Sequence, residues 1–264
     1  MTNQKKAIIT LSFDDGRIDT YRIAKELLET NNIPATINIA TGYIEGKAGI
    51  GTNNPPMSKE NVIELHKTGL FEIAAHGDLH KNSFEDIYNG KIKLSEWLDI
   101  DGKLGFASPG SEMTVDYINQ NQEKLKEIGL LYARTSHIHQ KKRFQKIKVL
   151  MRKAARVTGS RLLYRMAYSD LSVKDGFAIT SIPIFKFTSF EQIKCIIKLA
   201  IRRKAFLTLM FHSVCRPDEV GAENIYSYDY DNFVKLIDYL VNLKQIGKID
   251  ILTTKKFLEL EENI

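Results

Sequence analysis

Asp14, Asp15, His76, His80 and His212 are the residues of this chain whose types and spacing could do hydrolytic chemistry around a metal ion. Asp14 and Asp15 stand side by side before Gly16, after the apolar run Ile8-Ile9-Thr10-Leu11-Ser12-Phe13. Adjacent carboxylates at the end of a buried strand repel each other and are costly unless a cation or proton compensates them. Alone, they read equally well as an Asp-Gly turn with one Asp capping a helix. His76-Gly77-Asp78-Leu79-His80 has the spacing that lets two imidazoles meet one ion from a single helical turn. Such pairs also occur on solvated faces. Together the motifs say more. One carboxylate and two imidazoles form a facial three-ligand set with positions open for water and substrate. The second carboxylate can then act as a base on that water, and His212 can supply the acid that a leaving group needs.

Such a set needs elements that bring its members to one place. Ala7–Phe13, Ala35–Ala40, Phe71–Ala75, Leu104–Ala107, Leu131–Thr135, Phe177–Ile182 and Ala205–Phe211 read as strands. Helical patterns fall between them, over Thr20–Thr30, Ser58–Leu65, Asn82–Leu98, Val115–Ile128 and Ser189–Arg203. Thr41–Pro56 reads as a long loop. A helix over Asp231–Ile246, a strand near Ile249–Leu252 and a short helix from Thr254 close the chain. This alternation predicts a parallel sheet covered by helices, either a closed barrel or an open doubly wound sheet. In both, chemistry gathers at the carboxyl ends of the strands, where Asp14, Asp15, His76 and His212 all fall.

Leu11-Ser12-Phe13-Asp14-Asp15-Gly16, His76-Gly77-Asp78-Leu79-His80 and Leu209-Met210-Phe211-His212 resemble the motifs of the polysaccharide deacetylase family, the NodB-homology domain of carbohydrate esterase family 4. The resemblance runs from about Lys6 to Leu260. It implies a distorted (β/α)7 barrel, a single domain over 1–264 with a basic helical insertion at about 140–170. It also implies that Asp14 is the general base, that Asp15, His76 and His80 hold a divalent metal, and that His212 is the general acid. The expected reaction is removal of an N-acetyl group from an acetamido sugar in glycan biosynthesis. Two imidazoles and a carboxylate suit zinc, the expected ion, but also iron, cobalt and nickel. Deacylation of another amide, such as a formamido sugar or a ureide, would use the same residues. A catalytically silent saccharide-binding module is the non-enzymatic alternative.

The sequence departs from the family pattern twice. The third motif commonly carries an Arg before a Pro, whereas Phe106-Ala107-Ser108-Pro109-Gly110 has none. Arg134, at the end of a predicted strand, can replace it or can form a structural salt bridge. The fourth motif, an acidic residue before Trp, has no match, since Trp97 lies upstream of the third motif. Of the remaining polar and aromatic candidates, His137 and His139 read as a surface loop pair and His66 as structural. Tyr226, Tyr228 and Tyr230 read as packing against the barrel rim, with sugar stacking as the alternative.

The formal charge of +6 is concentrated: Lys141 to Arg165 holds ten Lys and Arg and no Asp or Glu, leaving the rest of the chain net acidic. This argues against a general nucleic-acid surface and for one local cationic feature. Ile147, Leu150, Met151, Ala154 and Val157 recur there at helical spacing between cations, the pattern of a helix that is merely solvated or one that meets anionic lipid. Met1–Lys6 is polar, Ala7–Leu11 is too short for a signal-peptide core, and Cys195 and Cys215 read as free thiols. The expectation is a cytoplasmic protein with peripheral membrane contact through Lys141–Arg165, acting on a nucleotide- or lipid-linked acetamido sugar and not on nucleic acid.

Overall fold

In the computed structural model, which describes residues 6–50, 54–137, 145–169 and 176–262, the short apolar runs become seven parallel strands. They are β1 (Ala7–Phe13), β2 (Ala35–Ile39), β3 (Phe71–Ala75), β4 (Leu104–Ala107), β5 (Leu130–Ser136), β6 (Ala178–Pro183) and β7 (Phe206–Phe211). Each pairs with the next, and β7 returns to β1 over the whole register from Ile8↔Phe206 to Phe13↔Phe211. The result is a closed (β/α)7 barrel. It is distorted at one seam, because β1 meets β2 only over Leu11–Phe13. Ala7–Ile9 pairs instead with β10 (Ile249–Ile251), a strand outside the barrel proper. A small parallel pair that the sequence reading missed, β8 (Ser213–Cys215) and β9 (Ser227–Asp229), rises beyond β7.

Strand alternation sends Phe13 outward and its neighbours Ser12 and Asp14 inward. Outside, Phe13, Phe211 and Phe233 of helix Tyr230–Gln245 form an aromatic cluster with centroids 5.4 to 6.1 Å apart. It clamps the ends of β1 and β7 from which the candidate residues emerge. Inside, the upper barrel is unusually polar: Ser12, Asn38, Arg134, Ser181 and Thr208 are all buried. Asn38 Nδ2 donates to Ser12 Oγ at 2.8 Å, and Arg134 NH1 to Ser181 Oγ at 2.7 Å.

Several expected elements take a different form. Within 41–56, Thr41–Ile44 is a short helix rather than loop, held by Thr41 Oγ1 donating to Asp78 and by the Gly42 amide bonding the Asp78 carbonyl. The helix expected over 115–128 breaks at Asn121, whose side-chain amide bonds the Tyr117 carbonyl and competes with the helical ladder. The basic segment forms two helices, Gln145–Thr158 and Arg161–Ala167, parted at Gly159 with φ +67° and restarted by the Ser160 cap. Its first residues, Lys141–Phe144, lie outside the described residues.

Candidate active site

Hydrogen bonds beyond the strand ends carry the barrel register into the site. The Asp14 amide donates to the Phe211 carbonyl at 2.9 Å and the His76 amide to the Ile39 carbonyl at 2.8 Å. Asp14, Asp15, His76, His80 and His212 thereby line one cavity of about 220 Å³ at the carboxyl ends of the strands.

Asp15 Oδ1 lies 3.3 Å from His76 Nε2 and 3.4 Å from His80 Nε2. One ligand atom from each residue falls within 4.8 Å of the others. Asp15 Oδ2 is already taken, accepting from Arg17 Nε and NH2 at 2.8 Å. His76 Nδ1 must donate to the Ala107 carbonyl at 2.8 Å, which in the neutral ring leaves Nε2 as a bare lone pair. A carboxylate oxygen and two imidazole nitrogens facing one another need protons or a cation between them. Outer hydrogen bonds that fix tautomer and ligand orientation are also what a metal set requires. The residues therefore fit a divalent ion. Burial would raise the Asp15 pKa, but His76, His80, His212 and Arg17 outweigh it and hold the carboxyl well below its ordinary value.

The second carboxylate is held differently. Arg134 NH2 bonds Asp14 Oδ1 at 2.5 Å and Oδ2 at 2.6 Å, and Asn38 Nδ2 adds 2.8 Å to Oδ1. Both Arg134 and Asp14 are almost fully buried. Burial pushes the Asp14 pKa up, yet Arg134, with His76 and His212, brings it below the ordinary carboxylate value. Arg134 thus supplies from β5 the countercharge that the altered third motif lacks. The alternatives open in the sequence, replacement Arg or salt bridge, are one and the same contact.

No acidic residue replaces the fourth motif among the described residues. His212 Nδ1 is buried there without a hydrogen-bond partner, and the ring packs against Tyr226 at 4.7 Å between centroids. Burial pushes the His212 pKa down to about 4, against the opposing pull of Asp15 and Asp14. Trp97 sits in helix Phe84–Leu98 under Lys59, 5.6 Å from the ring centroid, and does not line the cavity.

The His76–His80 segment is a loop and not the helical turn that its spacing suggests; the helix starts only at Phe84. Gly77 (φ +76°) and His80 (φ +58°) bend it so that the two rings converge, with centroids 4.9 Å apart. Asp86 is the organiser. Its carboxylate accepts the amides of Asp78, Leu79 and Lys81 at 2.8 to 3.1 Å. Asp78, inside the motif, is tied to Lys93 at 2.7 Å and lies off the cavity lining. Gly90 lets the helix reach the loop, since a Cβ there would sit 2.5 Å from the Gly77 carbonyl carbon.

Other candidates separate. Tyr226 lines the cavity, whereas Tyr228 is buried in the core and Tyr230 stacks under Arg216 at 4.4 Å. His137 is buried 5.9 Å from the Tyr168 ring, not on a surface loop, because it directly follows β5; His139 lies outside the described residues. His66 is in helix Lys59–Lys67, remote from the cavity. The sequence reading missed Arg17, Asn38 and Asp86, which meet Asp15, Asp14 and the His76–His80 loop respectively only after folding. Of these only Arg17, a charge beside the Asp-Asp-Gly turn, carried a local signal.

A family profile described as polysaccharide deacetylase matches residues 2–138, more than half of the chain, and the chain belongs to that family. It is 37% identical over 90 residues to the poly-beta-1,6-N-acetyl-D-glucosamine N-deacetylase of Staphylococcus aureus (strain N315). That match covers 34% of this chain and 29% of the relative, so the chain spans under a third of the length of the curated relatives it matches. Among solved structures it is similar to a candidate polysaccharide deacetylase from Mycobacterium smegmatis, with TM-score 0.59, 14% identity, and 98% and 91% of the two chains covered. It is also similar to the Xyl-CE4 domain of a multidomain xylanase from the hindgut metagenome of Trinervitermes trinervoides, with TM-score 0.50, 15% identity and 97% and 92% coverage. These two likenesses concern the fold alone.

Two stability experiments follow from this geometry. Arg134→Met strands a buried carboxylate and should cost about 3–5 kcal/mol in denaturant unfolding. Adding Asp14→Asn should recover much of that loss, and purely additive losses would show that the pair is not coupled. The lowered His212 pKa means that the folded state resists protonation. Its contribution is present above pH 6.5 and is lost as pH falls from there through about 4. In chelator, the stability of the wild type relative to His212→Gln should therefore drop across that window, and a flat difference would refute a neutral buried imidazole.

Proposed function

We propose that this protein is a metal-dependent carbohydrate N-deacetylase that hydrolyses the acetamide of an amino sugar in glycan biosynthesis. The observation that carries the reading is the convergence of Asp15, His76 and His80 on one cavity with Asp14 and His212, in a chain of the polysaccharide deacetylase family. Asp15 Oδ1 and the Nε2 atoms of His76 and His80 would hold the ion, which we take to be zinc. When bound, that ion supplies Lewis acidity toward water and the acetamide carbonyl.

The protein's own groups account for the proton movements. Arg134 and Asn38 keep the Asp14 carboxylate ionised and oriented, so that it accepts a proton from the attacking water. An amide nitrogen leaves poorly unless it is protonated. His212 rests neutral and brings no proton of its own, so the proton gathered by Asp14 is the one available to the departing amine. His212 lines the same cavity and relays it. Tyr226, exposed beside His212, offers a flat face to the sugar ring.

We place the reaction in the cytoplasm at the inner membrane face, on a nucleotide- or lipid-linked sugar. In support, helix Gln145–Thr158 exposes Ile147, Leu150 (67%) and Val157 (86%), and helix Arg161–Ala167 exposes Leu162 and Met166, among Lys146, Arg161 and Arg165. Apolar side chains ringed by cations suit an anionic bilayer surface. Among the described residues no helix is long and apolar enough to cross a membrane.

Asp14→Asn should abolish acetate release, by at least about a hundredfold, while zinc stoichiometry stays at the wild-type level. Chelator should abolish release in the wild type and zinc should restore it; unchanged turnover in either arm would sink the assignment. Flotation with anionic vesicles should occur at low salt and fail at high salt. No binding at low salt would leave the basic helices as a solvated cover.

A further inference from the structure

A buried polar junction lies behind the part of the active-site wall that Arg17 forms. Arg17 directs Nε and NH2 to Asp15 Oδ2, and its third nitrogen, NH1, donates to Ser213 Oγ at 3.1 Å. Ser213 Oγ also accepts from Asn54 Nδ2 at 3.2 Å and donates to Asp19 Oδ1 at 3.2 Å. A hydroxyl offers one hydrogen and two lone pairs, so all of its bonding capacity is in use. The other oxygen of Asp19, Oδ2, accepts the Val214 amide at 2.8 Å. Asp19, Asn54 and Arg17 are buried, and Ser213 has no exposed surface at all. Gly221, at φ +88°, lets the segment between β8 and β9 close over Asn54, where a Cβ would run into the Asn54 amide.

A buried carboxylate is a costly anchor for a strand, since apolar packing would hold the strand without desolvating a charge. Asp19 does more than anchor, because its two oxygens reach two parts of the active site. Through Oδ2 it fixes the backbone two residues after His212. Through Oδ1 and the Ser213 hydroxyl it fixes Arg17, which occupies Asp15 Oδ2 and leaves Oδ1 to face His76 and His80. Ser213 directly follows His212 in the chain, so a shift of this one residue would disturb both groups. The geometry points to Asp19 and Ser213 as positioning residues, which hold the metal carboxylate of Asp15 and the His212 imidazole in one fixed register. They act through Arg17 and the β8 backbone and not on the substrate. The inference rests on the ligand set proposed for Asp15, His76 and His80 and gives that set its outer support.

The test reads zinc affinity, by competition with a chromophoric chelator, beside kcat and KM for acetate release from UDP-N-acetylglucosamine. Ser213→Ala removes the shared oxygen and keeps the bond between Asp19 and the Val214 amide. Its zinc dissociation constant should rise about tenfold, the scale of an outer partner that orients a ligand. Its kcat should fall about tenfold while KM holds. Asp19→Asn should match it, because in either amide orientation the new NH2 group meets the Ser213 hydrogen or the Val214 amide. In an Arg17→Met background, adding Ser213→Ala should cost no further zinc affinity, since the hydroxyl acts through the guanidinium already removed. A merely structural junction would lower the unfolding midpoint of the metal-free protein and leave zinc affinity at the wild-type value. That result in Ser213→Ala, or full additivity with Arg17→Met, overturns the inference. If Asp19→Asn does not fold, Ser213→Ala and the double variant decide alone. Zinc affinity lost in Ser213→Ala, with no acetate release by the wild type, keeps the hold on Asp15 and removes the deacetylase.

Discussion

Two neighbouring carboxylates are buried at the mouth of a barrel, and most of the site's construction answers that cost. Asp14 and Asp15 cannot both stay ionised there without countercharge, and the protein provides a separate cation for each. Arg134 reaches across the barrel interior to Asp14, and Arg17 folds back onto Asp15. The division also assigns geometry. Asp15 has one oxygen consumed and one turned to the imidazoles, while Asp14 has both oxygens held by one guanidinium group. Adjacent residues of one type thus receive different environments, and different environments are what let two carboxylates do different work.

The polar barrel interior follows from the same requirement. A parallel strand covered on both faces is usually apolar throughout. Here Ser12, Asn38 and Ser181 interrupt that pattern because Asp14 and Arg134 need partners at depth. The apolar side of the balance is kept outside, where Phe13, Phe211 and Phe233 press the two carrying strands together. His212 is the exception to this care. Its Nδ1 has no partner among the described residues, and burial pushes its pKa down to about 4, which ties the proposed proton relay to Asp14.

The basic helices Gln145–Thr158 and Arg161–Ala167 add a second level of organisation. Their outer side exposes apolar and basic residues, while their inner side closes a cationic, aromatic cavity against the active-site wall.

The seven barrel strands, the motif order and the five residues that meet in the cavity were legible in the sequence because they rest on local signals: apolar runs of strand length, an Asp-Asp-Gly turn and a histidine spacing. The alternation alone left open whether the sheet closes, since an open sheet has the same pattern; the motif resemblance implied a barrel, and β7 pairing with β1 along its whole length closes it. The His76–His80 spacing suggested a helical turn, yet Asp86, bonding three loop amides from a helix further on, imposes a loop. Arg134 lies 120 residues from Asp14 in the chain, and only the barrel brings them into contact. Residue types determined which chemistry was available to this protein. Its tertiary structure decided which carboxylate meets which cation, because long-range pairing and burial, rather than sequence neighbours, set each group's charge and orientation.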